Sequence, residues 1–176
     1  MLQLYIQGRE FFNDETGMFE TTSPATLQLE HSLISISKWE SIWHHSFLSA
    51  EEITADEFKS YVKCMTINRI ADDSIYDQLT TLHEKQIRAY ITNPMTATTV
   101  KHDNRSQRRR IITSEQIYGW MVEFGIPFDP CEKWHINRLM MLIDVCSAMQ
   151  NPGKKRSAKE QAAWMRAQHA SRKKRP

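Results

Sequence analysis

Cys131 and His135 stand four residues apart, the spacing that puts two metal ligands on one face of a helix. His44 and His45 are adjacent, and adjacent side chains on a helix or strand diverge, so that pair chelates poorly. A structural zinc takes four ligands, and no second Cys/His pair with finger spacing accompanies Cys131 and His135. No metal and no cofactor is expected. Cys131 falls near an expected helix start, where a thiol's pKa drops, but a nucleophile also needs a base and an orienting group, and no neighbour supplies them. The sequence has neither a Gly-x-Ser-x-Gly elbow nor a His-Glu-x-x-His pair. Its five glycines, Gly8, Gly17, Gly119, Gly125 and Gly153, are too dispersed to cradle a phosphate. The acidic pairs Glu51/Glu52, Asp56/Glu57 and Asp72/Asp73 sit where helices are expected to begin, and capping with the helix dipole accounts for them. With no catalytic constellation, the chain reads as a non-enzyme.

Charge offers a different chemistry. Residues 1–150 hold 14 Lys and Arg against 20 Asp and Glu, a net of −6; residues 151–176 hold 9 against one, a net of +8. The cations cluster at Arg105, Arg108, Arg109 and Arg110, at Lys154, Lys155 and Arg156, and at Arg172, Lys173, Lys174 and Arg175. Such clusters neutralise phosphates and give salt-dependent, sequence-blind nucleic-acid binding. They equally suit an acidic protein surface or the body of another copy. An acidic body without a helix-turn-helix, RNA-recognition or finger signature weighs against nucleic acid, which stays as the alternative reading.

The elements that carry these residues follow from periodicity. At 176 residues, 40% hydrophobic and 25% charged, the chain is one ordinary globular domain with an appendage. Its longest apolar run, Leu139 to Ile143, is too short to cross a membrane, and Met1 to Phe12 lacks the cationic start of a signal peptide. Three widely spaced cysteines suit a reducing cytoplasm. Leu2, Leu4 and Ile6 alternate with polar residues as a half-buried strand, and Asn13 to Gly17 forms a hairpin turn. Thr26 to Ser37 reads as the longest strand, with a bulge where the apolar phase changes at Leu33/Ile34. Helices follow. Thr54-x-x-Glu57, Thr81-x-x-Glu84 and Ser157-x-x-Glu160 are capping boxes, and Thr113-x-x-Gln116 is a fourth. Asp72 or Asp73 caps a short helix, and Asn93-Pro94 ends the helix that Thr81 opens. Gly125, Ile126 and Pro127 form a glycine stop. Asp129-Pro130-x-Glu132 opens a helix running to about Gln150 and apolar almost all round, which belongs in the core or in an interface. The expected fold is α+β: a small N-terminal antiparallel β element (1–38) packed on a predominantly helical body (39–150), then a basic helical tail (151–176).

The Met and aromatic stripes at Trp120, Met121 and Phe124, and at Trp134, Met140 and Met141, suit a core or a groove for an apolar helix, since methionine repacks cheaply. Trp164 gives the tail helix an apolar anchor of its own.

Four stretches are similar to the siphophage tail assembly chaperone family, bacteriophage proteins encoded near the tape-measure gene. They are LQLEHSLISISKWESIW from Leu27, PMTATT from Pro94, IITSEQIYGWM from Ile111 and WHINRL from Trp134. The resemblance spans roughly residues 27–150. It implies a non-enzymatic protein of the infected host's cytoplasm that binds the tape-measure protein, keeps it soluble and helps tail-tube protein gather on it, then leaves before the virion is complete. It also implies short and frameshifted forms sharing one body, and Gly153-Lys154-Lys155, where the charge changes sign, suits a slippery G/A-rich run. A structural tail or neck component of the virion is the second alternative.

Overall fold

A computed structural model describes residues 1–14, 17–99 and 111–150 of the chain. The Arg105–Arg110 cluster, Trp164 and the basic tail 151–176 lie outside the described residues. Within them the fold is α+β, with a small antiparallel β element and a helical body.

Four short strands come first: β1 (Leu2–Ile6), β2 (Glu10–Asn13), β3 (Met18–Thr21) and β4 (Ala25–Leu29). β1 pairs with β4, setting Leu4 opposite Leu27, and β2 pairs with β3, setting Phe12 opposite Phe19. Leu4, Ile6, Leu27 and Leu29 face the core while Tyr5 faces out, as the period-2 pattern requires. The two pairings form one ribbon, broken at Arg9 and Thr22, where the Thr22 N–H donates to the Arg9 carbonyl at 2.9 Å and the Arg9 N–H to Thr22 Oγ1 at 2.9 Å. Gly8 is required at this joint, because a Cβ built on it would fall against the Thr22 carbonyl oxygen. The free edge of β4 is covered: the Ile67 N–H donates to the Gln28 carbonyl and the Glu30 N–H to the Met65 carbonyl, both at 2.9 Å.

The strand expected over Thr26 to Ser37 ends at Leu29, and residues beyond it turn into helix α1 (Leu33–Trp43). The phase change at Leu33 is this strand-to-helix switch, not a bulge. Leu33, Ile36, Trp39 and Glu40 are buried at helical spacing, and Ser32 caps the start by accepting the Ser35 N–H. Ser35 passes its own hydroxyl proton to the Glu30 carbonyl at 2.8 Å. The division expected at residue 38 thus falls inside α1.

Helix α2 (Ala55–Met65) begins with the full Thr54/Glu57 capping box, and Asp72 caps a 3-10 helix at Asp73–Gln78. Helix α3 (Thr81–Thr92) starts one residue earlier than the Thr81/Glu84 spacing predicts: Thr80 is the cap, and His83 Nδ1 makes the return bond. Two successive threonines offer either register, and residue type alone does not separate them. Helix α4 (Ser114–Glu123) follows Thr113, whose side chain makes no capping bond. It ends as predicted, with the Gly125 N–H on the Val122 carbonyl, the Ile126 N–H on the Met121 carbonyl, Gly125 at φ +66° and Ile126 buried.

The single helix expected from Asp129 to Gln150 is two pieces, the turn α5 (Phe128–Cys131) and helix α6 (Ile136–Gln150). The chain between them pairs with residues 31–34 instead. The Ile136 N–H donates to the His31 carbonyl at 2.7 Å, the Ile34 N–H to the Glu132 carbonyl at 3.4 Å, and Ser32 bridges His135. These long-range bonds take the backbone groups that a continuous helix would have used.

One core joins all of this, with Trp39 and Tyr61 wholly enclosed. Trp39 Nε1 donates to the Glu57 carbonyl at 2.9 Å, tying α1 to α2. Glu40 is buried beside it, and its carboxylate accepts three donors: the Phe47 N–H at 3.0 Å, and the Ser114 N–H at 2.8 Å and hydroxyl at 2.6 Å. Ser46 Oγ donates to the Ile112 carbonyl at 2.5 Å, and Ser49 Oγ accepts the Ile112 N–H at 2.8 Å, so the loop after α1 holds the approach to α4.

Glu40→Ala leaves the Phe47 and Ser114 donors enclosed without a partner, and urea unfolding should show a loss on the order of 3 kcal/mol. An unchanged midpoint would deny the carboxylate that role. Gly8→Ala should lower stability by about 1–3 kcal/mol in the same assay, since the neighbouring atom is a backbone oxygen.

Candidate protein-binding surface

His31 and His135 are enclosed and already bonded. His31 and His135 lie with ring centroids 5.0 Å apart, and only 1% and 6% of their surfaces are exposed. His31 Nδ1 is bonded to the Tyr61 hydroxyl. His135 Nε2 donates to the Tyr90 carbonyl at 3.0 Å, and its Nδ1 accepts the Asn137 N–H at 3.3 Å. The Tyr90 hydroxyl donates to Glu30 at 2.6 Å, and the N-terminal ammonium meets the other Glu30 oxygen at 2.9 Å. Burial holds the His31 pKa down to about 3, with the nearby His135 adding to the effect, and burial lowers His135 as well. Burial pushes the Tyr61 and Tyr90 hydroxyls up, and the Glu30 carboxylate adds to the rise at Tyr90. Two neutral imidazoles sealed from solvent hold the junction of β4, α1 and α6.

The residues picked out for metal or nucleophilic chemistry do not assemble. Cys131 is buried at the end of α5, while His135 lies beyond the break and turns to Tyr90. His44 is exposed and ends α1 with a positive φ of 58°. His45 Nε2 bonds to Glu57 at 2.8 Å. The Glu57 carboxyl is held below the usual range by the Thr54 backbone N–H, the His45 ring and the Thr54 hydroxyl. Among the described residues no three His, Cys, Asp or Glu come together as a metal site.

The apolar residues expected to bind a partner take several positions. Met121 is fully buried and supports the surface from beneath. Trp120 and Phe124 are half-buried on one flank of α4 and pack on the core. On the other flank Tyr118 meets Phe128 edge-on at 5.3 Å, with Val122 one turn further on; Val122 and Phe128 are exposed. The Tyr118 hydroxyl donates to Glu132 at 3.1 Å, and burial with that carboxylate pushes its pKa up to about 12. Trp134 lies under the Arg138 guanidinium at 4.1 Å.

Helix α6 carries two apolar faces. Ile136, Leu139 and Ile143 are buried, and Met140, Leu142 and Cys146 pack on the core from either side of that stripe. At about 100° per residue, Met141, Val145 and Met149 fall on the opposite side, one turn apart at i, i+4 and i+8. Met141 and Val145 are half-buried, and Met149 is 75% exposed. A surface helix with one partner is polar there. Sequence reasoning missed the exposed Val122, Phe128 and Met149; their outward direction depends on the break at residues 132–135 and the glycine stop of α4.

The described residues form no helix long and apolar enough to cross a membrane. Compared with protein-family models, curated proteins and solved structures, the chain has no match in any of the three.

Between pH 6.5 and about 3 an unfolded chain protonates His31 while the folded one keeps it neutral, so acid favours unfolding. Urea midpoints should fall as the pH drops from 6.5 to 5, with a slope of up to about 1.4 kcal/mol per pH unit from this group. His31→Gln should flatten that slope; a flat wild-type profile would contradict the buried neutral imidazole.

Proposed function

We propose that this protein is a non-enzymatic tail assembly chaperone of a bacteriophage, which binds the long, largely helical tape-measure protein during assembly in the host cytoplasm. The observation that supports this most is the second apolar face of α6, at Met141, Val145 and Met149. A row at this spacing is what an amphipathic helix needs to dock through its own i, i+4 and i+7 anchors. Methionine suits a partner that presents many similar but unequal helical segments, because its unbranched, polarisable side chain repacks at little cost. The exposed Val122 and Phe128 beside Tyr118 offer a second, smaller contact. The similarity of residues 27–150 to the chaperone family points the same way. The buried His31, His135 and Glu40 support it too, since they are spent on holding the fold.

Co-expression with the tape-measure protein tests this. The tape-measure protein should stay soluble and co-purify with the wild-type chain after nuclease treatment, and Val145→Glu should cut recovery by about tenfold or more, as expected for a charge placed in an apolar contact. Binding lost with nuclease and falling steeply with salt would favour a nucleic-acid role for the Arg105–Arg110 cluster and the tail. The protein's presence in purified virions would favour a structural tail or neck component.

A further inference from the structure

We propose that the outer edge of β3 takes a further strand from a cationic partner, one whose extended segment alternates Lys or Arg with apolar side chains. It is a second surface, built on the N-terminal ribbon and not on α6. Every described side chain of residues 10–21 is exposed, and none joins the core. The register of β2 and β3 sets Phe12 against Phe19 on one face, where the two rings meet edge-on at 5.2 Å. Both stay open to solvent, Phe12 at 50% and Phe19 at 69% exposed. Met18 precedes Phe19 on the strand, lies on the opposite face and is 69% exposed as well. A hairpin of two strands is marginal in water by itself, and a third strand gives it the support that the core does not.

Among the described residues no strand bonds to the outer edge of β3. The edge of β4, further along the same side of the ribbon, is closed. Besides the Ile67 and Glu30 bonds, Asn68 Oδ1 accepts the Gln28 N–H at 2.8 Å and Asn68 Nδ2 donates to the Thr26 carbonyl at 2.9 Å. The chain thus covers one stretch of this edge and leaves the other bare. A partner strand there bonds to the backbone of β3 and sets its side chains beside Phe19 on one face and Met18 on the other.

Charge selects the partner. Residues 10–20 hold Glu10, Asp14, Glu15 and Glu20 and no Lys or Arg, a net of −4. Alternation along β2 puts Glu10 on the face of Phe12 and Phe19, where it is exposed. Two copies joined through this edge would set like charges together, which disfavours self-pairing. Nucleic acid meets the same repulsion. Acids alone deter pairing at an edge, and exposed phenylalanines invite it. A strand bearing both cations and apolar groups answers the two, and its Lys or Arg can also rest over the open rings.

Titration of the full chain with two short synthetic peptides tests this, one alternating Lys with Val and one with Glu in place of every Lys. The Lys peptide should bind. Hydrogen exchange read by NMR should then show amides of residues 18–21 slowed about tenfold or more, with those of α1, α2 and α4 unchanged. Phe12→Ser with Phe19→Ser should weaken binding about tenfold or more. These positions lie outside the core, so the body stays folded. Glu10→Lys with Asp14→Lys should weaken it too while leaving the rings in place, whereas the same reversal at the exposed Glu52 and Glu123 should not. Equal binding of the Glu peptide, binding indifferent to both hairpin variants, or protection away from β3 overturns the proposal. Dimerisation of the wild-type chain that Phe12→Ser with Phe19→Ser abolishes assigns the edge to a second copy and overturns it as well. Val145→Glu should leave peptide binding unchanged, so this outcome is separate from that of the α6 contact.

Discussion

The carboxylate of Glu40 joins α1, the loop that follows it and the start of α4. It sits inside the protein and receives the Phe47 N–H, the Ser114 N–H and the Ser114 hydroxyl. A buried carboxylate tolerates that position only when its lone pairs are filled, and donors of this kind tolerate burial only when a strong acceptor is present. Each side of the bargain fixes the other. The loop after α1 closes over the core through Phe47, and α4 starts where Ser114 meets the acid. Since α4 begins there and its rotation is set by Ile117 and Met121, the directions of Val122 and Phe128 follow. The outward surface is thus determined from within, by a residue that touches no partner.

The second constraint is the pairing of residues 31–34 with 132–135. It stops α5, restarts the helix at Ile136 and brings two imidazoles within 5.0 Å of each other. Like charges at that distance repel, and burial penalises both, so the neutral forms prevail. The neutral rings then act as ordinary hydrogen-bonding groups. His135 donates to the Tyr90 carbonyl, which also accepts the Asn93 N–H at the end of α3, while Asn137 donates to the carbonyls of Ile91 and Asn93. These bonds set the direction of α6 and with it which of its two apolar faces looks inward.

Local signals were readable wherever a few adjacent residues decide the structure. The Thr54/Glu57 box, the Asp72 cap, the alternation in β1 and the Gly125–Ile126 stop all stand as the residue types suggest. Apart from the start of α3, where two adjacent threonines compete, the differences come from distant partners. Ser32 and Ser35 look like exposed strand positions, yet they cap α1 and reach Glu30. Thr113 looks like a capping residue, but Ser114 beside it is bonded to Glu40, 74 positions away. Asp129-Pro130 has every mark of a helix start, and the helix it opens is cut by the pairing with residues 31–34. Glu40 itself gave no signal, since one acid in an apolar helix is indistinguishable from a solvated one until its neighbours are known. For the site, the stripes were visible as apolar content. Their division into a core face and an outer face depended on the true start of α6, because moving a helix boundary does not change spacing but does change what the helix packs against.

Helix α6 is where fold and proposed function meet. A helix needs about one apolar stripe to be held by a core, and Ile136, Leu139 and Ile143 supply it. Met141 and Val145 lie half-buried away from that stripe and Met149 lies exposed, and exposed apolar area favours association. Stability alone would favour a polar residue at the exposed Met149, so its chemistry is best understood through what it contacts. Two properties narrow the contact. The row follows the helix from Met141 to Met149, one residue per turn, which suits another helix better than a loop or a small molecule. It is also soft, with methionines at both ends, which suits a contact that must form and then be given up. A chaperone needs both: a surface that accepts helices of differing sequence, and an affinity low enough that assembly can strip the partner away. Rigid, closely fitted anchors would win affinity at the expense of release, and the residues chosen at 141 and 149 avoid that.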